Sequence, residues 1–452
     1  MQEIDSLELN NLSLENKNMS KDKFVIEGGH KLRGDIEIWG SKNASLPIMA
    51  ASILNTGELT LDNVSPVKDN IIMAEILRFL GLDVKFLAGD KVFIKGEPKS
   101  FTAPYELVSK MRASFELMGP LLAKFGEAKI PYPGGCRIGL RPVDLHIKGF
   151  ESLGAEITVE KGFVCAKAKK GLKGAKIHLD KPSVGATRNI IMAAIMAEGD
   201  TVIENAACEP EVVDLGNFLR RMGAEIEGLG TSTIYIQGKR ELKSIDYYKV
   251  IPDRIAAGTF IIAGVMIGKE LVVKNIEPEH LQSLFIKLKE AGVDTFTIGE
   301  KEVRIKGAKS WKGIEVTTMP YPGFPTDLQP QMMVFLSLAQ GSSVIVETIF
   351  ENRFLHVGEL LRLGAKISID GRTALIQGVQ KLKGAPVEVT DLRAGAALVL
   401  AGLVAEGITE ILDVSEHIDR GYVALEEKLS ALGAKIERVV YDETQKIHED
   451  SH

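Results

Sequence analysis

Six times along this chain a short amphipathic segment runs into a hydrophobic residue, a glycine and then an alternating stretch. The six are RFLGLDVKF at Gly81, ESLGAEITV at Gly154, RRMGAEIEG at Gly223, KEAGVDTFT at Gly292, LRLGAKISI at Gly364 and SALGAKIER at Gly433. Their spacings are 73, 69, 69, 72 and 69 residues. A glycine just past a helix accepts positive φ without a Cβ clash, and the alternation that follows is strand-like. Upstream of each turn, at Gly57, Gly126, Gly199, Gly268, Gly341 and Gly407, a second glycine opens a β-rich stretch such as GDTVIEN or GSSVIVET. Before that second glycine comes a segment apolar almost all round, as in Ile190–Ala197, Phe260–Met266 and Ala396–Leu403. A helix without a polar face is a buried one. Each unit therefore reads as buried helix, strand, loop, surface helix, glycine turn, strand, and a fixed period of this kind is the mark of a repeat architecture.

Units of about 70 residues are too large for a thin solenoid, so three units per globular domain is the expected grouping. The expected fold class is α/β, with buried helices inside and sheets outside in each of two domains. The division falls near Tyr248–Pro252, and a strand region around Phe24–Trp39 is expected to join the last unit's sheet. The expected bodies are 43–251, with units one to three, and 23–42 plus 252–440, with units four to six. Residues 1–22 and 441–452 read as solvated extensions, and Met19 is a second possible start. The first residues lack a basic stretch followed by an apolar one, and no apolar run reaches the ~18 residues that suggest a membrane span. A net charge of −6 argues against general nucleic-acid binding. Three cysteines, Cys136, Cys165 and Cys208, form no CxxC pair and suit a reducing cytoplasm rather than a disulfide framework or zinc site.

The polar residues cluster at two places in the repeat. The buried helices start with Ser41-Lys42-Asn43, Met111-Arg112, Ser183-Val184, Pro252-Asp253-Arg254, Thr326-Asp327 and Asp391-Leu392-Arg393. Ser183, Thr326 and Asp391 are explained by N-capping. Lys42, Arg112 and Arg393 are not, because a cation there opposes the helix dipole unless both face an anion. The loops after the second glycines carry Cys136 with Arg141, Glu209-Pro210-Glu211, Phe350–Arg353 and His417–Arg420. If the two domains face each other by these ends, Lys42, Arg112, Arg141, Arg353, Arg393 and Arg420 line a cleft suited to a multiply charged phosphate ligand. Neither a P-loop nor a GxGxxG accompanies them. The stretch PYPGGCRIGLRPVDLH, residues 131–146, is too rich in proline and glycine to be helix or central strand. Arg137 and Arg141 flank its thiol, and nearby positive charge lowers a cysteine's pKa. The residues alone leave a reactive lid and an ordinary surface turn both open.

KNASLP at 42–47, PGGCRIGLRPVDLH at 133–146, FPTDLQ at 324–329, FENRFLH at 350–356, TDLRAG at 390–395 and HIDRGY at 417–422 strongly resemble the UDP-N-acetylglucosamine enolpyruvyl transferases. The resemblance spans residues 23 to 440. It implies a two-domain inside-out α/β barrel of six units, and a reaction between UDP-N-acetylglucosamine and phosphoenolpyruvate by addition and then elimination of phosphate. It implies no cofactor and no metal, and small-molecule substrates as partners rather than nucleic acid or membrane. By motif, Cys136 is the implied proton donor, Asp327 the base at the sugar hydroxyl, and Asp391 a helper in proton handling. Lys42, Arg141 and Arg420 are implied to hold phosphoenolpyruvate, with Asn43, Arg112 and Arg393 near it. The UDP-sugar is expected along Arg112, Arg141, Pro142, Val143, Asp144, Leu145, Lys181, Pro182, Ser183, Val184, Asp327 and Ile349. Glu209, Glu211, Asp253, Arg254 and Arg353 are expected at a hinge or cleft rim, and His146 and His417 as structural hydrogen-bonders. Two rival readings stay open: the sister enolpyruvyl transferase acting on shikimate 3-phosphate, and an inactive binding paralogue.

Overall fold

The computed structural model describes residues 21–132 and 143–441, the side chain of Arg112 excepted. The six turn glycines are where the local structure is set. All have positive φ, from 86° at Gly292 to 111° at Gly81. Each ends a surface helix and starts a strand: Asp83–Leu87, Glu156–Glu160, Glu225–Glu227, Phe296–Ile298, Lys366–Asp370 and Lys435–Tyr441. The upstream glycines open the other predicted strands, such as Leu59–Asp62, Ser342–Val346 and Ile408–Leu412.

The described strands form six separate open sheets, five of four strands and one of three. In the last sheet Ile408–Leu412 is antiparallel to Lys21–Glu27, and in the other five the strand after the second glycine is antiparallel to the nearer strand of a hairpin. In five of the sheets a short parallel strand lies on its other side. Glu315–Thr317 and Ser342–Val346 are one such parallel pair, joined through a buried helix, as a parallel connection requires. Two of these short strands are exchanged. Leu32–Glu37 precedes the first buried helix but pairs with Gly268–Lys274, and Tyr247–Lys249 precedes the fourth but pairs with Leu59–Asp62. The chain accordingly divides into two compact units, one with residues 39–132 and 143–252, the other with 21–38 and 253–441, and three sheets fall in each.

The expectation for Phe24–Trp39 needs splitting. Lys21–Glu27 does complete the last sheet, lying antiparallel between Ile408–Leu412 and Lys435–Tyr441. Leu32–Glu37 goes elsewhere, because Gly29, at φ 87°, turns the chain out of the first strand.

The six buried helices are α1 (Lys42–Ala51), α2 (Met118–Phe125), α3 (Val184–Ala194), α4 (Arg254–Ile267), α5 (Gln329–Ser337) and α6 (Leu392–Val404). In the second unit α4, α5 and α6 touch one another, and α4 buries every residue after Arg254. In the first unit α2 packs on α3, while α1 packs on the helix Pro210–Arg221 and on a 3₁₀ turn, Arg112–Leu117. That turn occupies the place where a regular helix start was expected at Met111. Among the described residues no helix is long and apolar enough to cross a membrane.

Candidate active site

In the first unit the helix starts carry the predicted ligands. Ser41 caps α1, its hydroxyl accepting from the Ala44 N–H at 3.3 Å. Lys42, the first residue of α1, places Nζ 3.2 Å from Oδ2 of the buried Asp69. The anion answering this cation is thus a side chain of the protein itself, which was not foreseen. Asn43 is fixed through its backbone: its carbonyl accepts from Arg188 Nη1 at 2.5 Å, and Nη2 of the same guanidinium donates to Glu116 Oε1 at 2.5 Å. Arg188 and Glu116 are both buried, and burial pushes the Glu116 carboxyl up against the pull of Arg188. Glu116 lies in the 3₁₀ turn that Arg112 opens.

Ser183 caps α3 by accepting from the Ala186 N–H at 3.3 Å, with Val184 as the first helical residue and Lys181 and Pro182 exposed before it. Val143 and Leu145 are buried and Asp144 is exposed at the start of the helix Asp144–Ser152. His146 sits edge-on to Phe115, with ring centroids 5.2 Å apart, and its Nδ1 is 3.0 Å from Asn189 Nδ2, the structural role expected of it. One buried pair, Glu116 with Arg188, therefore ties the start of α1 to the Arg112 turn and to α3. Cys136, Arg141 and Pro142 lie outside the described residues.

The second unit holds a buried charge cluster around Asp327. Arg353 Nη2 donates to Asp327 Oδ1 at 3.2 Å, and Arg393 Nε donates to Oδ2 at 3.1 Å. The two guanidinium side chains are 1% and 4% exposed, whereas the Asp327 side chain keeps 27%. This corrects three expectations. Thr326 does not cap a helix: the 3₁₀ turn Thr326–Leu328 has no side-chain cap, and the Thr326 hydroxyl donates to Glu347 instead. Arg353 is a buried ion-pair partner rather than a rim residue. Arg393, at the start of α6, turns back to Asp327 and does not face outward. Burial alone would lower the Arg393 pKa, but Asp327, then Tyr422 and Asp253, more than offset this and hold it raised. Asp391 does cap α6, accepting from the N–H groups of Arg393 at 2.9 Å and Ala394 at 3.2 Å. Asp253 caps α4 in the same way, at 2.8 and 2.9 Å.

Arg420 closes the 3₁₀ turn Ile418–Arg420 and is half-buried. Its neighbour Asp419 is gripped by Arg438 through two hydrogen bonds of 2.9 and 2.8 Å, and Arg438 also meets Asp22 and Glu426. The turn seats directly on α6 at Gly395, where a Cβ would stand 2.7 Å from Ile418 Cγ1. Ile349 follows the strand Ser342–Val346 and is half-buried. Elsewhere, burial and then Glu209 push the Cys208 thiol up, which suits a loop residue rather than a nucleophile.

A sequence profile of the EPSP synthase (3-phosphoshikimate 1-carboxyvinyltransferase) family matches residues 26–429. UDP-N-acetylglucosamine 1-carboxyvinyltransferase 1 of Caldanaerobacter subterraneus is 56% identical over 418 residues, covering 92% of this chain and all of the relative. The chain belongs to the enolpyruvyl transferase family, among the UDP-N-acetylglucosamine 1-carboxyvinyltransferases. A second such transferase, from Carboxydothermus hydrogenoformans, is 54% identical over 92% of this chain and 99% of its own length. Among solved structures, the enolpyruvyl transferase NikO of Streptomyces tendae aligns with a TM-score of 0.84 at 25% identity, over 93% of this chain and 100% of that one. EPSP synthase of Acinetobacter baumannii shares the fold, with a TM-score of 0.70 at 20% identity and the same coverage.

Sequence reasoning on this transferase missed Glu116, Arg188 and Asp69. A signal for one pair was present: Arg188 is a lone charge inside the apolar run of α3, and Glu116 is a lone charge in SFELMG. Charges in such places are paired or they are destabilising.

Proposed function

We propose that this protein transfers the enolpyruvyl group of phosphoenolpyruvate to the 3-hydroxyl of UDP-N-acetylglucosamine, releasing phosphate, as the first committed step of peptidoglycan synthesis. The observation that carries this reading is the 56% identity across the entire length of a transferase with that name. The sugar oxygen bonds to C2 of the enol phosphate as C3 takes a proton, and later loss of a C3 proton expels phosphate. Such a path needs an acid at C3, a base at the hydroxyl and cations on the phosphate.

Cys136 is the acid in this scheme, and its thiol is the group that attaches at C2 of phosphoenolpyruvate. Asp327 takes the hydroxyl proton. Two buried guanidiniums fix the direction of its carboxylate, and its partial exposure supports access by the sugar. Lys42, Arg141 and Arg420 hold the phosphate and carboxylate of phosphoenolpyruvate, with Asn43 and Arg112 beside them. Arg393 serves the reaction through Asp327, and Asp391, which caps the same helix, assists proton handling. The segments Val143–Leu145, Lys181–Val184 and Ile349 contact the nucleotide sugar. In the same reading the six open sheets and their buried helices form two inside-out barrels of three units each, and the enzyme works in the cytoplasm.

Incubation with both substrates is expected to release phosphate, and Cys136→Ser is expected to abolish the release. No release above that of the variant would overturn the assignment, and release with shikimate 3-phosphate as acceptor would select the sister reaction.

A further inference from the structure

Glu347 follows the strand Ser342–Val346 and is 1% exposed. Its Oε1 accepts from the Thr318 hydroxyl at 2.9 Å and from the N–H groups of Ile349 at 2.8 Å and Phe350 at 3.2 Å. Its Oε2 accepts from the Thr326 hydroxyl at 2.9 Å. Three of the four bonds fall on Oε1 and one on Oε2, and all four donors are neutral. A buried polar group is costly unless hydrogen-bonded, and a glutamine would put a donating amide nitrogen where one of these oxygens accepts.

What the carboxylate joins gives it a purpose. Thr326 immediately precedes Asp327, so one oxygen holds the turn that carries the proposed base. The other holds Ile349, a proposed sugar contact, and Phe350, whose ring lies 5.5 Å from the Arg353 guanidinium that donates to Asp327. Glu347 thus reaches Asp327 from two sides. Thr318 fastens the same loop again, accepting from the Thr348 N–H at 3.0 Å while its carbonyl accepts from the Thr348 hydroxyl at 2.6 Å.

We propose that Glu347 is a positioning residue that keeps Asp327 in register with the Ile349–Phe350 loop, so that base and sugar hydroxyl stay aligned. This rests on the assignment of Asp327 as base and Ile349 as a sugar contact.

The test combines steady-state kinetics with amide hydrogen exchange on the full-length enzyme. Glu347→Gln is expected to lower kcat about tenfold or more and to raise KM for UDP-N-acetylglucosamine, with KM for phosphoenolpyruvate within about twofold. The Ile349 and Phe350 amides should exchange faster while those of α4 do not change. Thr326→Val, which removes one hydroxyl, should lower kcat several-fold, and Thr326→Ser should restore it. If Glu347→Gln does not fold, that threonine pair decides the matter. Wild-type kcat in a folded Glu347→Gln enzyme, or equal activity of the Val and Ser variants, overturns the role of Glu347 alone. If the wild-type enzyme shows no sugar-dependent phosphate release, the Asp327 assignment falls and takes this one with it.

Discussion

At the scale of single residues, the account turns on Asp327 between Arg353 and Arg393. Asp327→Asn keeps the shape but leaves two buried guanidiniums without their anion. We expect kcat to fall at least a hundredfold and stability by roughly 2 kcal/mol, the partial exposure of Asp327 moderating the second effect. Steady-state rates and urea unfolding would measure the two separately, and a fall in stability without a fall in kcat would remove Asp327 from the chemistry. A second residue sets an acid limit. Burial, opposed by Asp391 and aided by Arg353, pulls the fully buried His356 down from 6.5 to about 4. Between those values the unfolded chain takes up a proton that the folded unit does not, so stability falls as pH drops through that window. The loss amounts to about 3 kcal/mol once pH is below both values. His356→Gln should flatten this part of the profile, as denaturant unfolding at pH 7.5 and 4.5 would show; equal acid loss in both proteins would contradict it. Asp391 was legible from sequence as the cap of a helix start, whereas Asp327 was reached only through the motif resemblance and its turn has no side-chain cap. The direction of Arg353 and Arg393 was not legible, since a guanidinium near a helix N-terminus points outward or inward according to tertiary partners far away in the chain.

At the scale of elements, glycine does two different jobs that one substitution separates. Gly154 ends a surface helix at φ 89°, with open space where a Cβ would stand, so Gly154→Ala carries backbone strain alone. It should cost about 1 kcal/mol of stability and leave kcat and KM unchanged. Gly395 has ordinary backbone geometry, but a Cβ there would press on Ile418 at 2.7 Å and displace the turn that carries Arg420. Gly395→Ala should raise KM for phosphoenolpyruvate several-fold, and an unchanged KM would argue against Arg420 as a phosphate ligand. The turn glycines were legible because a helix stop followed by alternation is a local signal. The exchange of Leu32–Glu37 and Tyr247–Lys249 between sheets was not, since a short parallel strand carries no mark of its partner.

At the scale of the whole molecule, the repeat predicted six units from spacing alone, and the described residues form six sheets, three in each compact unit. The strand Lys21–Glu27 is interior to the last of these, paired on both edges. A chain beginning at Met19 keeps that strand and should fold and turn over like the longer one. A chain beginning at Gly29 exposes two strand edges and should aggregate or lose the second unit's unfolding transition, which light scattering and calorimetry would report. Full activity of the shorter chain would contradict the sheet order. The most direct measurement of the function as a whole is the identity of the product. With UDP-N-acetylglucosamine and phosphoenolpyruvate, mass spectrometry should find the enolpyruvyl ether of the nucleotide sugar, formed in equal amount to phosphate. Phosphate without that ether, or an enolpyruvyl group found on shikimate 3-phosphate instead, would contradict the account.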